Sequence, residues 1–285
     1  EVIELSNQIH FDDQQLTIYS VKISELLIRC SVEIEAISKE LYSKLGGSKT
    51  SNDLFFDTDC LQLLEEKWII SKKTIIISAP NFYFQDDNNR ILTPLLDSNR
   101  RSKCDWKKAY QAVKHNRSAS LTKGNIKNLL RALGALFILN VYYKNEEYDL
   151  KRDSNATTFP TNLGSDIFSI KLHKWVSYDG QYNYKKNQDF DECIYITKNT
   201  ENSVEEFKEA TKEMYNKQQI LFNNHQKFID YKTTNKLENY TGQNIMLDIL
   251  GYDDYYEIIR ISGKELKEIY LKSEYHAVLN KNNIE

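Results

Sequence analysis

A mainly α fold with a C-terminal α+β portion is predicted by three features of this 285-residue sequence. Long stretches of the first half carry apolar residues at alternating three- and four-residue steps, which is the helical period. Glycine and proline are scarce, at 9 and 3 residues, so few positions break regular structure. Past residue 165 the period changes to strict alternation over a short run, the pattern of a half-buried strand. The length suits one large or two small domains. A content of 40% apolar, 28% charged and 12% aromatic residues excludes disordered and collagen-like chains.

Residues 16–45 read as one amphipathic helix, with Ile23, Leu27, Cys30, Ile34, Ile37 and Leu41 on a single stripe. Glu25–Arg29, Glu35–Lys39 and Glu40–Lys44 are i,i+4 pairs in the favourable acid-first order. Gly46-Gly47 supplies the stop. A shorter helix over 58–70, capped by Asp57 or Thr58, turns Leu61, Leu64 and Trp68 inward. Thr74–Ser78 is a β-branched extended run closed by Ala79-Pro80, and 81–99 is mostly loop. Helix returns over 105–114 on Trp106, Ala109, Tyr110 and Val113. A polar break from His115 to Leu121 follows, then a strong helix over 123–143 on Ile126, Leu130, Leu133, Phe137 and Val141.

Residues 1–150 therefore predict an antiparallel helical bundle. The polar connector 151–164, containing Pro160, marks a boundary, and 151–285 form a second, mixed region. In that region a strand over 167–177, a turn at Tyr178-Asp179-Gly180 and a return strand from Cys193 to Thr197 predict a short β-hairpin. Ser203-x-x-Glu206 matches a capping box opening a helix to about Tyr231. Two shorter helical or mixed segments, 244–251 and 263–279, close the chain.

Charge is more informative by region than in total. The net value is −3, yet Arg100–Arg131 holds ten basic residues against Asp105 alone. A basic segment on an acidic body points to a local anionic partner, phosphate first. Cys30, Cys60, Cys104 and Cys193 are scattered, without CxxC or CxxxxH spacing, so neither a metal site nor a cofactor is expected. The cysteine pattern makes a reducing cytoplasm the expected compartment. The most apolar run, Leu129–Tyr143, is interrupted by Arg131 and Asn140 and is too short to span a bilayer, so no membrane association is expected. His10, His173, His225 and His276 lack partners at ligand spacing and read as structural or surface residues, and Tyr182, Tyr184, Tyr252, Tyr255 and Tyr256 as strand and interface residues.

The stretch Asp105–Arg117 carries the candidate chemistry. A helix C-terminus stabilises cations, so an imidazolium at His115 is favoured there. Lys108 lies seven residues earlier on the same helix face. Lys108, His115 and Arg117 are expected to converge on one phosphate, with the imidazole moving a proton and the cations holding charge. Lys107, Lys114 and Asn116 are the expected substrate-binding neighbours.

The run WKKAYQAVKHNR (106–117), followed by NIKNLLRALGALFILNVYY (125–143) and preceded by LLIRCSVEIEAISKEL (26–41), resembles HEPN-like proteins of bacterial defence and toxin systems. The resemblance covers about residues 20–145. It implies a four- or five-helix bundle, often dimeric, whose active members cut RNA without a metal. In those members an arginine, four to six residues and then a histidine form a site composite across the dimer. Here the positions five to seven before His115 hold Tyr110, Ala109 and Lys108, and Arg117 follows the histidine. The expectation is an RNA-binding, HEPN-like homodimer, a candidate metal-independent endoribonuclease of antiviral or toxin-type defence. The alternative is a non-catalytic HEPN-like interaction or sensor module that pairs with a partner subunit.

Overall fold

The structure, a computed structural model, describes residues 1–50, 53–100, 103–174 and 186–282. It is mainly α, as the periodicity predicts. Two compact units are present: unit 1 holds Glu1–Asp149, Asn155–Lys198 and Ala277–Glu285, and unit 2 holds Leu150–Ser154 and Asn199–His276. Unit 1 first gives way to unit 2 between Asp149 and Leu150, and Asn155–Lys198 and Ala277–Glu285 then return to unit 1. Backbone pairing of the segment after 155 with strands before 100 is the reason.

Unit 1 opens with α1 (Val2–Ser6), β1 (Phe11–Asp12) and α2 (Val21–Lys44). A π-helical turn at Phe56–Leu61 leads into α3 (Gln62–Trp68), followed by β2 (Ile75–Ile77), β3 (Phe82–Tyr83), α4 (Asp87–Arg90) and β4 (Ile91–Leu92). Next come α5 (Asp105–His115), α6 (Arg117–Ser120) and α7 (Ile126–Lys144), then β5 (Tyr148–Lys151), β6 (Phe168–Ile170), β7 (Leu172–His173) and β8 (Tyr195–Asn199). The expected cap at Asp57 or Thr58 is displaced: Phe55 is the N-cap of the π-helical turn.

Helix α2 starts five residues later than its apolar period predicts. Leu16 and Ile18 carbonyls accept from the Lys127 and Ile126 N–H groups, both at 3.0 Å, so this strip satisfies donors that the start of α7 leaves open. Ser20 then caps α2, its hydroxyl accepting from Ile23 N–H at 3.1 Å. At the other end Gly46 takes φ +81°, while Gly46 N–H donates to Ser43 O and Gly47 N–H to Tyr42 O. That is a Schellman stop, and the left-handed backbone is why glycine stands there.

α2 packs along α7, and α5 packs against both. The two long helices run in the same direction. At their N-terminal ends, a Cβ added to Gly124, just before α7, would lie 2.9 Å from Ser24 Cα. At their C-terminal ends, the Lys44 ammonium sits 3.6 Å from the centre of the Tyr143 ring. α5 runs opposite to α2, because Arg117 reaches Val21 and Glu25 while Lys114 and Tyr110 lie beside Glu35. The expected antiparallel bundle therefore holds for α5 on α2 but not for α2 on α7. Apolar periodicity reports which face is buried and says nothing of direction.

Besides the parallel pair of β1 and β3, two sheets are present among the described residues. In one, of order β4-β2-β6, both pairings are antiparallel, with Ile75 opposite Leu92 and Ile170. The other has the order β5-β9-β8-β7, where β9 is Tyr275–Leu279 near the end of the chain. β7 pairs with β8 in parallel, Leu172 opposite Tyr195 and His173 opposite Ile196. The expected hairpin between these segments is thus corrected, since a hairpin requires antiparallel neighbours. Its predicted turn, with Trp175, Tyr182 and Tyr184, lies outside the described residues.

Unit 2 contains α8 (Glu201–Asn223), α9 (Gln226–Thr234), α10 (Ile245–Leu250), α11 (Tyr252–Ser262) and α12 (Lys264–Lys272). Its core gathers Phe222, Phe228, Leu250 and Ile258. Thr200, and not Ser203, caps α8, and Asn224 divides the helix expected to reach Tyr231. Ser203 instead accepts from Glu274 N–H at 2.8 Å.

Because Gly124 lies against the α2 backbone, Gly124→Ala is expected to cost about 1–3 kcal/mol through overpacking. Urea unfolding followed by circular dichroism measures this, and an unchanged midpoint would contradict the close approach.

Candidate functional site

Helix α5 sets the geometry of the basic segment. Its inner face is fixed by Trp106, Ala109, Tyr110 and Val113, all buried. Trp106 Nε1–H donates to Pro94 O at 2.8 Å, which satisfies the one polar atom of that ring. The opposite face carries Lys108 and His115 in solvent. At 1.5 Å rise per residue, seven residues place them about 10 Å apart along the axis.

His115 is the last residue of α5 and is exposed, and among the described residues its ring has no hydrogen-bond or ionic partner. Asn116 ends α5 and caps α6, its carboxamide oxygen accepting from Ala119 N–H at 3.3 Å. The Arg117 guanidinium, half-exposed, donates to Val21 O at 3.2 Å and to the Glu25 carboxylate at 3.1 Å. Glu25 is also exposed, so this pair contributes little to stability. It does hold the α6 corner onto the start of α2.

The flanking lysines divide sharply. Lys108 is exposed and 3.9 Å from Asp105. Lys114 donates from Nζ to the Tyr110 hydroxyl at 3.1 Å, and that bond raises the Lys114 pKa. Burial raises the Tyr110 pKa in turn. Lys107 is 5% exposed and donates to Asp57 at 2.9 Å, Ser98 O at 2.7 Å and Arg100 O at 2.9 Å. All three ammonium donors are engaged. The expected substrate-binding role of Lys107 is replaced by an internal one, because an acid distant in sequence lies where the helix buries it. His115 and Arg117 stand at the C-terminal end of α5, Lys108 near its start, and Arg117 is directed to Glu25.

A second constellation was missed. His173 on β7 lies 2.9 Å through Nδ1 from Asp189 Oδ1, and Cys193 Sγ lies 3.6 Å from Asp189 Oδ2. His173 and Cys193 are fully buried, while the Asp189 carboxylate is half-exposed. Burial, with the Asp189 charge alongside, pushes the Cys193 thiol up to about 12. A neutral, buried thiol is not a nucleophile. Cys30, Cys60 and Cys104 are likewise buried, each pushed up to about 11 mainly by desolvation. The sequence signal was faint: Asp189 and Cys193 stand four apart, but their histidine comes from another strand.

No family model matches the chain, and no curated protein or solved structure does either. Among the described residues no helix is long and apolar enough to cross a membrane.

Replacing Lys107 by methionine strands the nearly buried Asp57 carboxylate and two carbonyls. Lys107→Met is expected to lower unfolding free energy by about 3–5 kcal/mol, the cost of breaking a buried pair from one side. Chemical denaturation tests this, and a loss below 1 kcal/mol would return Lys107 to the surface set.

Proposed function

We propose that this chain is an RNA-binding protein of HEPN-like type whose contact surface is the corner formed by α5, α6 and the turn before α7. The observation that carries the reading is the row of exposed basic residues Lys108, Lys114, Arg117 and Lys123 along α5, α6 and the turn before α7, with the exposed His115 among them. Such a line tracks a phosphate backbone and makes binding fall with salt. The resemblance implies a four- or five-helix bundle over this segment; α2, α5 and α7 pack on one another there, and the parallel run of α2 and α7 departs from a simple antiparallel bundle. Single-stranded RNA is the favoured form, since its 2′-hydroxyls and bases are open to contact.

Cleavage is a second reading, favoured by the freedom of the His115 ring. There the neutral imidazole takes the proton of a ribose 2′-OH, whose oxygen bonds to the adjacent phosphorus. The P–O5′ bond breaks, the 5′-oxygen takes a proton from water, and a 2′,3′-cyclic phosphate remains. Lys108 and Arg117 would hold the charge on the phosphoryl oxygens, Arg117 after leaving Glu25. Binding needs no such rearrangement and is therefore the primary reading. A homodimer and a defence role belong to the same proposal through the resemblance alone.

Fluorescence anisotropy with labelled single-stranded RNA tests it. The parent is expected to bind with log K falling linearly in log salt, at a slope near −0.7 per phosphate engaged. Lys108→Glu with Lys123→Glu should weaken binding at least tenfold, and Glu25→Gln, which removes the acid paired with Arg117, should tighten it. Binding that ignores both salt and these changes would refute the RNA reading. In the same experiment with EDTA, loss of cleavage in His115→Ala supports the second reading, and cleavage that survives it removes the mechanism.

A further inference from the structure

We propose that His173, Asp189 and Cys193 of unit 1 form a binding site for a zinc-class divalent metal ion, with a fourth position left to water. The site is independent of the α5 corner. A ring nitrogen of His173, a carboxylate oxygen of Asp189 and Sγ of Cys193 all lie within 4.8 Å of one another. Zinc bonds of about 2.0–2.3 Å place tetrahedral ligand atoms roughly 3.3–3.7 Å apart. Closing the difference takes a movement of about 1 Å, and the half-exposed Asp189 side chain can supply it by rotating between its neighbours.

The ligand set selects the metal. A thiol and an imidazole favour a borderline-soft ion and disfavour magnesium and calcium, which take oxygen ligands. A thiolate and a carboxylate neutralise a dication, and the imidazole adds no charge. Binding releases the Cys193 proton to the solvent as the sulfur–metal bond forms.

The backbone around these ligands is held from both sides by buried donors. Lys73 Nζ donates to Asp191 O at 2.9 Å and Cys193 O at 3.2 Å. Asn280 Nδ2 donates to Cys193 O at 3.0 Å and to Phe190 O at 2.6 Å. The turn is closed by Glu192 and Cys193 N–H groups donating to Asp189 O, both at 3.1 Å. His173 is fixed by its place on β7 opposite Ile196, and its ring meets Phe190 edge-on at 5.2 Å. Three ligands from two segments are thus presented by backbone that cannot easily move, which is how metal sites are preorganised.

Cobalt(II) added to the chelator-treated 285-residue chain is the probe. One equivalent is expected to bind, to give a thiolate-to-cobalt charge-transfer band in the near ultraviolet, and to be displaced by zinc. Cys193→Ser should abolish the band. Asp189→Asn, at a half-exposed position, should weaken cobalt binding at least tenfold in a chelator competition while leaving the circular dichroism spectrum intact. A parent that gives no band overturns the proposal and leaves a hydrogen-bonded polar cluster only. A band that persists in folded Cys193→Ser, or unaltered affinity in Asp189→Asn, overturns it equally.

Discussion

The parallel packing of α2 on α7 is the constraint on which the rest of unit 1 depends. Two helices aligned in one direction cannot be joined by a tight turn. The chain from Leu45 to Asn125 must travel back to the starting end before α7 begins, and α5 is the helix of that return leg. Its C-terminus consequently arrives beside the N-terminus of α2, where Arg117 meets Val21 and Glu25. The basic corner stands at that end of the unit because the return leg must finish there. α7 can serve as the common partner because it is buried around much of its circumference, through Leu129, Leu130, Ala132, Ala135, Ile138, Leu139 and Tyr142.

Much of this was legible in the sequence, and what was not has identifiable causes. Of the α2 stripe, Ile23, Leu27, Cys30, Ile34 and Leu41 are buried as the spacing requires and Ile37 is half-buried, and Gly46-Gly47 ends the helix by the expected stop. α5 and α7 lie where periodicity puts them. Direction and partner were invisible, since a spacing pattern is the same for parallel and antiparallel neighbours. The same limit applies to β7 and β8: extended segments were expected there, but not their parallel orientation, and burial departs from alternation, with His173 buried beside half-buried Leu172 and with Tyr195, Ile196 and Thr197 all buried. Within the candidate site, the exposure of His115 and Lys108 follows from their place on the outer face of α5. The pairing of Arg117 with Glu25 could not be read, because those residues meet only through tertiary packing.

Summed charge also concealed a distinction that packing makes plain. Lys107 and Lys73 count as cations in any composition, yet both are buried and bound to oxygens of distant segments. Burial draws the Lys73 ammonium down to about 8. A lysine inside a fold acts as a post between backbone carbonyls, where its long stem packs and its three donors tie loops together. Only those left in water contribute to the field a polyanion would meet.

The larger segment of unit 2, Asn199–His276, begins at the end of β8 and ends in β9, and those strands are neighbours in one sheet. Thr200 N–H donates to Glu274 O at 2.9 Å, so the outgoing and incoming chains are one backbone hydrogen bond apart. Helices α8 to α12 therefore form a cassette between two chain ends held one backbone hydrogen bond apart, while the rest of unit 2, Leu150–Ser154, comes from the segment after α7. Closing so short a gap carries little entropic penalty, so descent can lengthen, exchange or delete the cassette without shifting the register of the strands that carry it.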